Sequence, residues 1–226
     1  MKIGHAEGMR RLVALLALGL VVALALSPTE VLTHVEAYLE KAPWQARVVG
    51  QVRTPDGTLQ RIDFLLKVLP AGDLTRIEFF APDSVADNVV LITPKKVYNY
   101  LFLTNQLVVY PRKKARIEGL GLSLAGVSGL KGMADDDRVR WRLVGEKTTP
   151  AGPVYVLEGV PRDPEEAGFG RMEVWVLKSV PRPYRIRVWD AEGALVLDVS
   201  WVSFARVPLK RQAFFDFPPD AEVIEK

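Results

Sequence analysis

Arg138-Val139-Arg140-Trp141-Arg142-Leu143 and Tyr184-Arg185-Ile186-Arg187-Val188-Trp189 decide the fold. Cationic and apolar side chains alternate through all of the first and through 184–188 of the second. A strand sends successive side chains to opposite faces, so this period of two marks a sheet with one dry and one wet face. The same alternation runs outward in both directions. Ile62, Phe64, Leu66 and Val68 oppose Arg61, Asp63 and Lys67 within 59–68, and Thr75-Ile77-Phe79 interleaves with Arg76 and Glu78. Further strands are read at 45–53, 88–92, 97–102, 106–110, 154–160, 171–177, 194–204 and 213–217. Turn chemistry separates them: Thr54-Pro55-Asp56-Gly57, Pro70-Ala71-Gly72-Asp73, Thr93-Pro94-Lys95-Lys96 and Asp190-Ala191-Glu192-Gly193. Most neighbours have no helix-length segment between them, which argues against a parallel α/β fold. The expected class is mainly β (α+β): a curved antiparallel half-barrel of about eleven strands.

Two segments depart from this rhythm. Ser27-Pro28-Thr29-Glu30 is a helix start, with Ser27 as cap, Pro28 in the first turn and Glu30 closing a capping box. Val31, Val35, Tyr38, Leu39 and Ala42 follow at helical spacing until Pro43. The stretch 118–134 interleaves glycines with Leu120, Leu122, Leu124, Val127 and Leu130. It is too rich in glycine for an exposed helix and too apolar for a free loop. Two readings stand for it: a short helical or loop lid over an apolar hollow, or a poorly formed helix packed permanently on the sheet.

The chain opens as an export signal does. Lys2, Arg10 and Arg11 precede an apolar run from Leu12 to Leu26, and Ala23-Leu24-Ala25 offers a cleavage pattern. The run falls short of the roughly 20 residues that span a bilayer. Residues 1–27 are therefore read as a cleaved signal peptide, with an uncleaved anchor as the alternative, and 28–226 as one domain in the periplasm. The formal net charge of +3 falls by two when Lys2, Glu7, Arg10 and Arg11 leave with the signal. A balance so near zero gives no support for nucleic-acid binding. No cysteine is present, which excludes a disulfide, a thiol nucleophile and a lipid-modified cysteine.

Phe79-Phe80-Ala81-Pro82, continuing to Asn88-Val89-Val90-Leu91-Ile92-Thr93-Pro94-Lys95-Lys96-Val97-Tyr98-Asn99-Tyr100, resembles the centre of the periplasmic lipoprotein carriers of the LolA type. Phe214-Phe215-Asp216-Phe217-Pro218-Pro219-Asp220-Ala221-Glu222-Val223-Ile224 is similar to the closing segment of the same family. The order of elements agrees over most of 28–226. The family's lid-tying arginine before a proline is replaced here by Leu69-Pro70. The resemblance implies a carrier that holds acyl chains of lipoproteins or lipids for delivery to the outer membrane. It also implies an inner-membrane release machinery and an outer-membrane acceptor as partners.

An acyl chain contributes about 0.8 kcal/mol per buried methylene. The side chains to line such a hollow are Phe64, Leu66, Ile77, Phe79, Tyr98, Tyr100, Trp141, Val174 and Val176, beneath the lid residues Leu120, Leu122, Leu124, Val127 and Leu130. The basic run Arg112, Lys113, Lys114 and Arg116 beside the lid is read as a contact for a membrane or a partner.

Catalytic chemistry is not assembled. His34 is the one histidine beyond the signal, and no nucleophile elbow, phosphate-binding glycine loop or zinc-ligand spacing occurs. Asp135-Asp136-Asp137 lacks the spaced ligands of a calcium loop. Neither enzyme activity nor a cofactor or metal is expected, and the protein is read as a monomer. The alternative to the carrier is an envelope-stress sensor or structural envelope protein on the same scaffold, working by protein–protein contacts. Small side chains toward the hollow favour the first reading; interlocking aromatics favour the second.

Overall fold

The computed structural model describes residues 26–54, 56–112, 116–117, 122–123, 133–134 and 137–226. Helix α1, Pro28–Glu40, begins as the sequence dictates. The Glu30 amide donates to Ser27 Oγ (3.2 Å) and the Ser27 amide to Glu30 Oε2 (2.6 Å). Its buried stripe is Val31, Leu32, Val35 and Leu39. No basic residue of its own ends the helix. Arg206 supplies one from a distant strand, donating to the carbonyls of Leu39 (3.4 Å), Ala42 (2.5 Å) and Tyr38 and lying 4.4 Å over the Tyr38 ring. A cation there satisfies orphan carbonyls and the negative end of the helix dipole.

The strands are β1 (Trp44–Arg53), β2 (Leu59–Leu69), β3 (Leu74–Ala81), β4 (Val89–Ile92), β5 (Lys96–Leu101), β6 (Gln106–Pro111), β7 (Arg116–Ile117), β8 (Leu122–Ser123), β9 (Val139–Thr149), β10 (Gly152–Pro161), β11 (Arg171–Leu177), β12 (Pro183–Trp189), β13 (Leu195–Arg206) and β14 (Glu222–Glu225). A second α-helix, α2, covers Pro164–Ala167 and is capped by Asp163. Twelve strands form one sheet in the order β14-β6-β5-β4-β3-β2-β1-β13-β12-β11-β10-β9, and β7 pairs with β8 in a separate ribbon.

This corrects the expected half-barrel. The sheet is neither closed nor strongly curled, and its edge strands β14 and β9 do not meet. Nor is it wholly antiparallel, because β14 runs parallel to β6, with Val223 opposite Leu107. Alternation reports which residues share a face. Curl arises from twist and bulges summed over strands, a long-range property that periodicity does not encode. The segment 213–217, expected as a strand, instead ends a 3-10 turn over Arg211–Phe215 and continues without regular structure.

The two faces are unlike. The inner face carries the main core, where α1 packs on Ala46, Val48, Ile62, Phe64, Leu66, Ile77, Val174 and their neighbours. Aromatic rings interlock there. Trp44 stacks on Phe204 at 5.4 Å between centroids, Tyr38 meets Phe204 at 6.0 Å, and Phe64 meets Phe79 at 5.8 Å. The outer face is divided. Over β3–β5 it is covered by the C-terminal segment, whose Leu209, Phe214 and Phe217 pack with Leu74, Leu91 and Tyr98. Over β9–β13 it carries charged rows, with one small apolar cluster of Val154, Val156 and Leu177.

Candidate interaction face

The structure distributes the expected lipid-binding residues over both faces. Phe64, Leu66, Ile77, Phe79, Val174 and Val176 are buried in the inner core, with Trp141 packed at its margin. Tyr98 lies on the outer face, edge-on to Phe215 at 5.9 Å and stacked with Phe217 at 6.3 Å. Tyr100 is on that side too, 6.5 Å from the Phe217 ring, its hydroxyl donating to Asn105 Oδ1 at 3.0 Å. One face therefore cannot gather the whole set. Leu120, Leu124, Val127, Leu130, Lys113 and Lys114 lie outside the described residues. Arg116 and Leu122 fall on the β7–β8 ribbon. Arg112 is exposed and paired with Asp73 at 2.9 Å.

The sequence reading did not single out the outer rows as a site. Arg142, Arg185 and Arg187 of the two opening motifs stand there beside carboxylates from neighbouring strands, in one continuous network. Arg142 Nε on β9 is 2.8 Å from Glu158 on β10, and Arg171 on β11 reaches the other Glu158 oxygen at 3.6 Å. Arg171 and Arg187 flank Glu173 at 4.0 and 3.7 Å. Arg187 and Arg185, both on β12, converge on Asp198 of β13 at 3.4 and 2.6 Å. The chain of contacts crosses five adjacent strands.

Depth separates the signs. Side chains of Glu158, Glu173 and Asp198 are 11%, 16% and 17% exposed, whereas Arg142 is 71% and Arg171 41% exposed. Carboxylates are short and sit at the sheet; guanidiniums are long and spread over them. Solvent therefore meets a cationic layer. Arg171 and Arg187 also lie 3.7 and 4.9 Å over the Trp189 ring, which fixes their planes. Hydrogen bonding to Glu158 raises the Arg142 pKa above its ordinary value, and hydrogen bonding to Asp198 does the same for Arg185. Both remain charged at any physiological pH.

A smaller group of the same design sits on β1 and β2. Asp63, 4% exposed, accepts from Arg47 at 2.9 and 3.1 Å and from Arg61 at 2.9 Å. The Arg47 hydrogen bonds hold its carboxyl below the usual range, against the opposing effect of burial. A depressed folded-state pKa means the unfolded chain takes up this proton more readily. The stabilisation is complete above the unfolded value, about 4, and is lost as pH falls through the folded value. Asp63→Asn is thus expected to cost about 1–2 kcal/mol at pH 7 and progressively less toward pH 3. Urea midpoints at several pH values test this; a difference from wild type that does not shrink on acidification would reject the assignment.

No group of three or more His, Cys, Asp or Glu among the described residues could hold a metal ion. Among those residues, no helix is long and apolar enough to cross a membrane.

With both faces described, the class is clear. The fold is one that recurs in other solved proteins. A family model whose description reads "Uncharacterized protein" matches residues 72–206. The crystal structure of an uncharacterized conserved protein from Thermus thermophilus is 33% identical, with a TM-score of 0.66 over 87% of this chain and 98% of that one. The chain belongs to this family.

More distant structures share the fold. A DUF1329 family protein from Desulfovibrio piger is 14% identical, with a TM-score of 0.52 over 84% of this chain and 95% of that one. A chain of the Pseudomonas aeruginosa MucA/MucB complex is also 14% identical, with a TM-score of 0.51 over 83% of this chain and 60% of that one. No curated protein matches the sequence. These likenesses show the fold alone and not the identity of a lipoprotein carrier.

Proposed function

We propose that this is a protein of the cell envelope that acts by protein–protein contacts, using the charged outer face of β9–β13 to hold a partner. The observation that carries the reading is the vertical separation of charge on that face, with guanidiniums above and carboxylates beneath. Arginines whose planes are already fixed by carboxylates and by Trp189 lose little freedom when a partner arrives. Arginine and tryptophan are also the residue types enriched at interface hot spots.

Two further observations support it. The inner face, where an acyl chain would have to lie, is occupied by interlocked rings: Trp44 with Phe204 and Phe64 with Phe79. The export-like pattern of residues 1–27 supports a place in the envelope, and MucB, which shares the fold, was solved in complex with MucA.

Native mass spectrometry on the exported protein, isolated without detergent, is the test. A protein complex is expected, loosened by raised salt and by the double variant Arg171→Glu, Arg187→Glu. A bare chain carrying only phospholipid or acyl-peptide adducts would overturn the reading.

A further inference from the structure

The two ends of the sheet are guarded differently. β14 is a four-residue edge with Glu222 and Glu225 flanking Val223 and Ile224. β9 is an eleven-residue edge, and no described residue pairs with its outer side. A long unpaired edge is a ready template for another strand.

The phase of β9 follows from one bond. The Arg162 amide donates to the Arg138 carbonyl at 2.7 Å, and Arg140, Trp141 and Arg142 stand opposite Val160, Gly159 and Glu158. In an antiparallel pair hydrogen-bonded and non-bonded positions alternate. Arg140 and Arg142 therefore bond to β10, while Val139, Trp141 and Leu143 turn their N–H and C=O groups toward the side where no described residue pairs. The ladder shifts register between Val156 and Leu157, opposite Gly145 and Leu143. The regular part of the edge thus ends near Leu143.

Side chains along this stretch alternate between exposed Arg140 and Arg142 on the outer face and half-buried Val139, Trp141 and Leu143 on the inner face. Arg140 is exposed and no ion pair includes it among the described residues. Arg142 shares Glu158 with Arg171 and is the most exposed arginine of the network.

We propose that β9 receives an extended, carboxylate-bearing segment of a partner protein as an added strand. Acidic side chains at every second position would meet Arg140 and Arg142. The intervening apolar ones would lie beside Val139, Trp141 and Leu143. Main-chain bonds to the outward groups supply affinity, and the alternation supplies specificity. Charge complementarity decides the occupant: cations on an edge repel another basic strand but attract an acidic one. The inference rests on the protein-contact reading above and names its partner chemistry.

The probe is a short synthetic peptide alternating glutamate and valine, followed by fluorescence anisotropy with the full exported chain. Binding is expected to weaken about tenfold with Arg140→Glu, to disappear when alternate peptide amides are N-methylated, and to be absent for a lysine–valine peptide. The amides of Trp141 and Leu143 are expected to gain protection from hydrogen exchange. Equal binding by the N-methylated peptide, with protection spread over β11–β13, would overturn strand addition while keeping the protein-contact reading. No binding by any peptide would overturn strand addition as well. Sedimentation showing self-association that the peptide displaces would assign the edge to a second copy and overturn the partner. Loss of the native complex in mass spectrometry is the separate outcome that removes the underlying reading.

Discussion

Gly50→Ala is expected to destabilise the protein by about 3 kcal/mol, at the top of the range for overpacking. Gly50 sits in β1, opposite Ile62 of β2 and Val199 of β13. A methyl group there would lie 1.9 Å from the Asp198 carbonyl oxygen and 2.7 Å from the Val199 Cα. Both are backbone atoms of a hydrogen-bonded strand, so no rotamer change relieves the clash. The ladder between β1 and β13 must part locally. That ladder joins the two halves of the sheet and carries Asp198, the acceptor for Arg185 and Arg187. The urea midpoint should fall well below that of wild type, and loosening should reach the outer arginines. An unchanged midpoint would show that β13 can move aside freely, contrary to its paired position.

Phe214→Ala is expected to cost about 3–4 kcal/mol, as buried phenylalanine truncations do. For a chain of this size that corresponds to a fall in Tm of roughly 6–15 °C. Phe214 is 1% exposed and packs with Leu74 and Leu91 on the outer face. Its carbonyl also accepts from Arg76 Nη1 at 3.0 Å, while Arg76 lies 5.2 Å over the Phe217 ring. Emptying this pocket releases the segment that leads to β14. Limited proteolysis should therefore cut the C-terminal residues early in the variant. Phe215→Ala, at a side chain 37% exposed, is the comparison and should change little. Equal effects from both would mean that the segment is held elsewhere.

Much of this was legible in the chain. The capping box of α1, the succession of antiparallel strands and the dry and wet sides of 138–143 and 184–189 are local facts, readable because capping and alternation involve residues a few positions apart. The inner set Phe64, Leu66, Ile77 and Phe79 came out together because it lies on one face of two paired strands. Tyr98 and Tyr100 were grouped with that set and face the other way. Within β5 they alternate with Val97 and Asn99, all four being half-buried or buried, so both sides of this strand are covered. With the outer side capped by Phe215 and Phe217, more than a hundred residues away in sequence, no polar partner marked the difference.

The sequence by itself determined that this is a sheet protein that begins with a capped helix and has no cysteine chemistry. These follow from composition and from interactions between near neighbours. Only the tertiary structure decided that the sheet stays open, that β14 joins in parallel, and that Arg142, Arg171, Arg185 and Arg187 form one layer over Glu158, Glu173 and Asp198. Each of those depends on which strands become neighbours and in what register, and a pairing between distant segments is set by the packing of the whole chain.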